Sequence, residues 1–267
     1  MRGAWHIVIA LALVAQGAAA SGLIRLTDRD DLFGWEAVGR VDIGDSGYCT
    51  GTLIAPDLVL TAAHCVYDDS GRAVEPKTVT FRAGLRDGAF ISESRVARIA
   101  AHEDYAPQQG LSARNIRADA ALLSLDRPIL SAVASPFVLA EPRRAGERVS
   151  VVSYGQGREA ALSWQRDCGV TAAGRGLMQF DCDVTFGSSG APVFTRESGR
   201  ARIVSLISGG RRDDGASVAY GMDLPDVVDR LKRDLRAAPR ATLKAPRIKR
   251  VRVGDERRAS GAKFARP

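Results

Sequence analysis

Between Trp35 and Gly221 the chain reads as many short strands separated by Gly, Pro and Asp turns, and this punctuation limits what it can fold into. Val38, Arg40, Val41 and Ile43 start one strand; Gly51 to Ile54 and Val59 to Thr61 make two more around the turn Ala55-Pro56-Asp57. Val79 to Ala83, Val96 to Ala100, Ala120 to Leu125, Arg148 to Tyr154, Pro192 to Thr195 and Arg202 to Ile207 follow. Regular short strands with turn signals point to an all-β barrel or sandwich. The lack of strand–helix alternation argues against a doubly wound sheet. Asp126 to Gly146, rich in Pro, Ala and Ser, reads as a connector between two halves. One helix is expected near the end: Pro225 stands at an early helical position, and Val227, Val228, Leu231 and Leu235 recur at helical spacing until Pro239 stops it.

The first residues read as an export signal. Arg2 precedes an apolar run from Ala4 to Ala15, and Ala18-Ala19-Ala20 precede Ser21. The run of about 12 residues falls short of the ~20 that a membrane span needs, so cleavage after Ala20 and a secreted or periplasmic protein without a span are expected. In an oxidising compartment four cysteines read as disulfides. Three pairings are open; Cys49–Cys65 and Cys168–Cys182 are expected because each pair flanks a hairpin-like stretch. Each would close a loop of about 15 residues, worth about 3 kcal/mol in the chain-entropy model. A zinc site on Cys49, His64 and Cys65 is disfavoured, since two of these are adjacent and there is no C-x-x-C pair; no metal or cofactor is expected. The net charge of +7 is unevenly placed. Residues 237–267 hold ten Lys/Arg against two acidic residues, a balance of +8, so the rest of the chain sums to about −1. That tail has few large apolar residues and cannot bury a core.

Two segments carry chemistry: Leu-Thr-Ala-Ala-His-Cys at 60–65 and Gly-Ser-Ser-Gly-Ala-Pro at 187–192. A serine hydroxyl is a poor nucleophile at neutral pH without a base in reach, and the base needs a partner that fixes its tautomer. Of the three histidines, His6 leaves with the signal and His102 sits in Ala-His-Glu-Asp-Tyr with no nucleophile motif nearby. His64 remains.

Cys49 to Cys65 resembles the histidine segment of chymotrypsin-like serine proteases. Asp119 to Leu125 is similar to that family's aspartate strand, and Gly187 to Pro192 resembles its serine loop. The order His, Asp, Ser matches this branch rather than the subtilisin or α/β-hydrolase orders. The resemblance covers about Trp35 to Leu235 and implies two antiparallel six-stranded β-barrels with a C-terminal helix. It implies Ser189 as nucleophile, His64 as general base and then acid, and Asp119 as the orienting carboxylate, with Asp104 the rival. It implies an oxyanion hole from the N–H groups of Gly187 and Ser189. The domain expectation is residues 1–20 signal peptide, 21–34 N-terminal segment or short propeptide, 35–130 first barrel, 131–222 second barrel, 223–238 helix and 239–267 basic tail.

Two departures from the family pattern are informative. Ser188 stands where the digestive members have an aspartate that pairs with a newly cut N-terminal amine, and no Arg-Ile-Val-Gly-Gly-like activation site is present. The sequence is closer to a bacterial branch that resembles secreted glutamyl endopeptidases. Yet the pocket strand of those relatives carries a histidine, and here it reads Leu206-Ile207-Ser208-Gly209-Gly210. Asp183 lies six residues before Ser189, the spacing at which trypsin-like members hold an Arg/Lys-selecting carboxylate. Asp183, Ser208 and Gly209 are therefore candidate substrate-binding residues, with a structural carboxylate as the alternative for Asp183. The expected function is a secreted serine endopeptidase, a monomer acting on protein or peptide substrates through an acyl-enzyme. The alternative is a catalytically silent relative that binds peptides or surfaces. The basic tail, with Arg-Ile-Lys-Arg-Val-Arg at 247–252, suits an anionic surface, and an Arg/Lys-specific enzyme would cut it.

Overall fold

The computed structural model describes residues 22–237 apart from Asp45, Glu197, Ser198 and Asp214. The expected export signal, residues 1–20, and the basic tail, residues 239–267, lie outside the described residues. Among the described residues fourteen strands form two antiparallel systems. β1 is Leu23–Arg25, β2 Val38–Ile43, β3 Tyr48–Ala55, β4 Leu58–Thr61, β5 Val79–Ala83, β6 Ser92–Ala101 and β7 Ala121–Leu125. β8 is Arg148–Ser153, β9 Ser163–Gly174, β10 Leu177–Phe180, β11 Pro192–Thr195, β12 Arg202–Leu206, β13 Gly209–Asp213 and β14 Ala216–Met222. The helices are α1, Ala113–Ala118, and α2, Pro225–Ala237.

β2-β3-β4-β7-β6-β5 close into a barrel. Alternation drives it: β5 is buried at Val79, Phe81 and Ala83 and half-buried at Thr80 and Arg82, so one face fills the interior. The second system is an eight-stranded sheet in the order β12-β11-β8-β9-β10-β14-β13, with β1 on β9. The two-barrel class thus takes the form of one closed barrel and one half-barrel whose ladder stays open. Between β12 and β14 the Ser205 hydroxyl donates to Met222 O at 2.8 Å.

The core has two parts. The larger joins both systems, where Trp35, Phe137, Trp164 and Phe194 meet with ring centroids 4.6–6.1 Å apart. The smaller lies within the second sheet around Val149, Val170, Phe180 and the Cys168–Cys182 disulfide. α2 buries Val228, Leu231 and Leu235 against β6 and β7, so the chain returns to the first barrel. The N-terminal segment is built into the body: Leu23 pairs with Gln165 and Arg25 with Ser163, and Leu26 and Leu32 are buried.

Candidate active site

His64 and Asp119 come together through one strand pair. β4 and β7 are antiparallel neighbours with Thr61 opposite Ala121, so the residues following β4 and preceding β7 share one end of the barrel. His64 sits in a 3-10 turn, Ala63–Val66, which the Cys49–Cys65 disulfide ties to β3. Asp119 is the residue that ends α1, where its N–H bonds Ile116 O. Its carboxylate accepts the His64 backbone N–H on Oδ1 at 2.9 Å and faces His64 Nδ1 from Oδ2 at 2.8 Å. The Ser208 hydroxyl donates to the same Oδ2 at 2.6 Å. Asp119 is 3 % exposed, whereas the His64 side chain keeps 32 % of its surface open. Burial pulls the imidazole pKa down, but the charge and hydrogen bond of Asp119 outweigh it and leave the pKa above the ordinary 6.5.

The serine loop is wedged between barrel and sheet. Thr50 on β3 donates its N–H to Ser189 O at 2.9 Å and its hydroxyl to Gly187 O at 2.8 Å, and that hydroxyl accepts Tyr154 N–H at 3.0 Å. Gly190 N–H donates to Ile207 O at 2.7 Å. Only glycine fits at two positions. Gly187 has φ +85°, and a Cβ there would overlap the Tyr48 ring; Gly190 has φ +75°, and a Cβ there would overlap Thr50 O and the Thr61 hydroxyl. Ser188 is fully buried, with its hydroxyl 3.2 Å from Ser153 Oγ and 3.4 Å from the Thr185 N–H. An uncharged network thus anchors the loop at the position where the digestive pattern has a carboxylate.

His64, Asp119, Ser189, Ser208 and Gly209 line one cavity of about 480 Å³. Tyr105, Leu111, Asn115 and Ile116 form one side, and Val184, Thr185, Phe186, Arg211 and Arg212 continue its wall. Among the described residues, neither the Gly187 nor the Ser189 N–H has a protein acceptor, and the Ser189 hydroxyl makes no hydrogen bond. The structure does not bring Asp183 to this cavity. Its carboxylate accepts the Ser217 hydroxyl at 3.1 Å and Arg212 at 3.3 Å, and its N–H donates to Gln165 Oε1 at 2.7 Å. Among the described residues Asp104 makes no hydrogen bond or ion pair with His64; its side chain is 55 % exposed, with Arg114 at 4.0 Å. His102 is buried, and its Nδ1 accepts the Asp104 N–H at 3.2 Å.

Sequence reasoning missed three residues that shape the site. Thr50 carries no local sign of its role, because its partners lie more than a hundred residues away. Asn115 holds the loop before α1; the signal that could have found it is Ser112, whose side chain caps the helix by accepting the Asn115 N–H. Arg212, beside Asp183, is legible only once β13 and β14 are paired.

A trypsin-like peptidase domain signature spans residues 49–202, and the chain belongs to that family. Among curated proteins it is 28 % identical over 155 residues to a glutamyl endopeptidase of Bacillus licheniformis, covering 58 % of this chain and 47 % of that protein. It is 27 % identical over 189 residues to serine protease 23 of Rattus norvegicus, covering 60 % of this chain and 48 % of that protein. The chain thus spans about half the length of these relatives. In fold it is similar to a solved Glu endopeptidase in complex with MPD, with a TM-score of 0.67 at 18 % identity, covering 82 % of this chain and 99 % of that one. It is also similar to the protease Anisep from Arthrobacter nicotinovorans, with a TM-score of 0.61 at 18 % identity over 76 % of this chain and 96 % of that one.

Proposed function

We propose that the protein is a serine endopeptidase in which Ser189 is the nucleophile, His64 the proton carrier and Asp119 the group that orients and charges His64. The observation that carries this reading is the Nδ1–Oδ2 contact of 2.8 Å, in a cavity that also holds Ser189. With Nδ1 turned to the carboxylate, Nε2 is left to work on the serine. Ser189 Oγ attacks the peptide carbonyl carbon while Nε2 takes its proton. The negative oxygen that forms is met by the free N–H groups of Gly187 and Ser189. His64 then returns the proton to the leaving amine, and the C–N bond breaks to give an ester on Ser189. Water, deprotonated by the same imidazole, hydrolyses that ester. In this reading Ser189 Oγ, which makes no hydrogen bond among the described residues, comes within bonding reach of Nε2 as substrate enters, as is common where an unliganded site holds its catalytic groups apart.

The same reading takes the protein as exported. Its support is the apolar run from Ala4 to Ala15, the small residues before Ser21 and two buried disulfides. Among the described residues no helix is long and apolar enough to cross a membrane. The substrates are proteins or peptides, and the basic tail is available to an anionic surface.

A fluorophosphonate probe on the wild type and on Ser189→Ala tests the reading. Labelling of the wild type alone is the expected result. Labelling of neither favours the silent peptide- or surface-binding relative.

A further inference from the structure

We infer that Arg212 is a specificity-determining residue that bars Lys and Arg side chains from the pocket before the scissile bond, by engaging Asp183 and presenting its own cation to the cavity. This rests on the peptidase reading above and concerns the same site. Asp183 occupies the sequence position at which a carboxylate would select basic side chains, but it does not line the cavity, whereas Arg212 does. The Arg212 guanidinium reaches Asp183 Oδ1 at 3.3 Å, and the Ser217 hydroxyl takes the same oxygen at 3.1 Å.

Val184 completes the screen. Its Cγ2 lies against Gly210 so closely that a Cβ there would come within 2.7 Å of it, so a methyl rather than a carboxylate faces the opening. A second cation also acts on Asp183. The Arg158 guanidinium packs at Gly155 beside the Thr185 methyl, half-buried, and burial lowers its pKa against the pull of Asp183 and Tyr48. The acidic group on the cavity wall, Asp119, is committed to His64 and Ser208. A lysine or arginine entering here would meet a guanidinium first and find no unpaired carboxylate to offset its lost hydration. A neutral side chain meets Val184, Ile207, Gly209 and Gly210 without that cost.

The test is a series of peptide anilides that differ only in the residue before the scissile bond, Arg, Lys or Leu, read as ratios of kcat/KM. For the wild type the Arg/Leu and Lys/Leu ratios are expected well below one. Arg212→Gln should raise the Arg/Leu ratio about tenfold, the size of a modest pocket discrimination. Arg212→Lys, which keeps a cation, should leave the ratio low. Asp183→Asn added to Arg212→Gln should cancel the gain, separating an unmasked carboxylate from a loosened loop. Preference of the wild type for Arg or Lys, or an unchanged ratio in Arg212→Gln, overturns the inference. Fluorophosphonate labelling is run alongside. A labelled wild type with the wrong ratios defeats the Arg212 inference alone, whereas an unlabelled, inactive wild type defeats the peptidase reading and this inference with it.

Discussion

Asp119 accepts three hydrogen bonds, from the backbone and ring of His64 and from the hydroxyl of Ser208, and it is the charge that lifts the His64 pKa above 6.5. In the proposed mechanism His64 must be neutral to take the serine proton, so activity is expected to fall with acidification through a midpoint above 6.5, not at it. In Asp119→Asn the two influences that raise the pKa are weakened and burial remains, so the midpoint should move down. Turnover should drop by about 10⁴-fold, because an amide no longer holds the tautomer. A pH–rate profile of kcat/KM for both proteins reads this, and an unmoved midpoint would exclude Asp119 as the partner of His64. At this scale much of the proposed site was legible: His64, Asp119 and Ser189 stand in short motifs whose chemistry depends on residue type, and the fold brings the three to one cavity. Ser208 was legible only in part. It was expected against substrate, but its hydroxyl bonds a carboxylate 89 residues earlier, a relation no local pattern displays. Asp183 was a choice between pocket and structural carboxylate that spacing alone leaves open, since a count of residues does not say which way a loop turns.

At the scale of elements, α1 and the loop before it form one side of the cavity through Leu111, Asn115 and Ile116. Asn115 is their staple. Its Oδ1 accepts Ala106 N–H at 2.9 Å, and its Nδ2 donates to Ala106 O at 3.1 Å and Gly110 O at 2.9 Å. Asn115→Ala would remove these three bonds to the half-buried Ala106 and the exposed Gly110 and should cost about 2 kcal/mol of stability. For a body of this size that is a fall of roughly 4–8 °C in Tm, read by thermal unfolding. Because Leu111 and its loop frame the entry while the disulfide and Ser208 hold His64 and Asp119, the loss in activity should appear mainly in KM. A collapse of kcat at constant KM would mean that α1 acts through Asp119 instead. The sequence missed α1 because Ala-Arg-Asn-Ile-Arg-Ala is too short for helical periodicity to register. It also passed over β13, where Gly-Gly-Arg-Arg-Asp offers no apolar alternation, and β1, only three residues long. The longer strands of the first barrel alternate or run apolar, and their turns carry Pro and Gly, so those were read correctly.

The proposed site lies where two systems meet: the barrel supplies His64 and Asp119, the sheet supplies Ser189, and Thr50 bonds across the join. The all-β class was legible from the punctuation of the chain, because many short strands have few ways to bury both faces. The open ladder of the second system was not, because β12 meets β14 through the Ser205 hydroxyl rather than through a strand pair with a pattern of its own. Specificity at the cavity has a consequence at this scale. The last residues, 237–267, carry ten Lys and Arg, each a cleavage point for an enzyme that selects basic side chains. If Arg212 bars such side chains, the protein should not trim its own tail after them. Purified protein incubated at neutral pH and concentration high enough for intermolecular cutting is expected to keep the same intact mass over its C-terminal residues as Ser189→Ala. Stepwise loss at Lys or Arg in the wild type, absent from Ser189→Ala, would place a basic side chain in the pocket and contradict the Arg212 assignment. Loss in both would point to a contaminating protease, which the Ser189→Ala arm is there to expose. In Arg212→Gln the cation on Asp183 is removed while the Ser217 hydroxyl remains, so trimming after Arg should begin there first, and mass spectrometry of that variant against the wild type links the pocket to the fate of the basic tail.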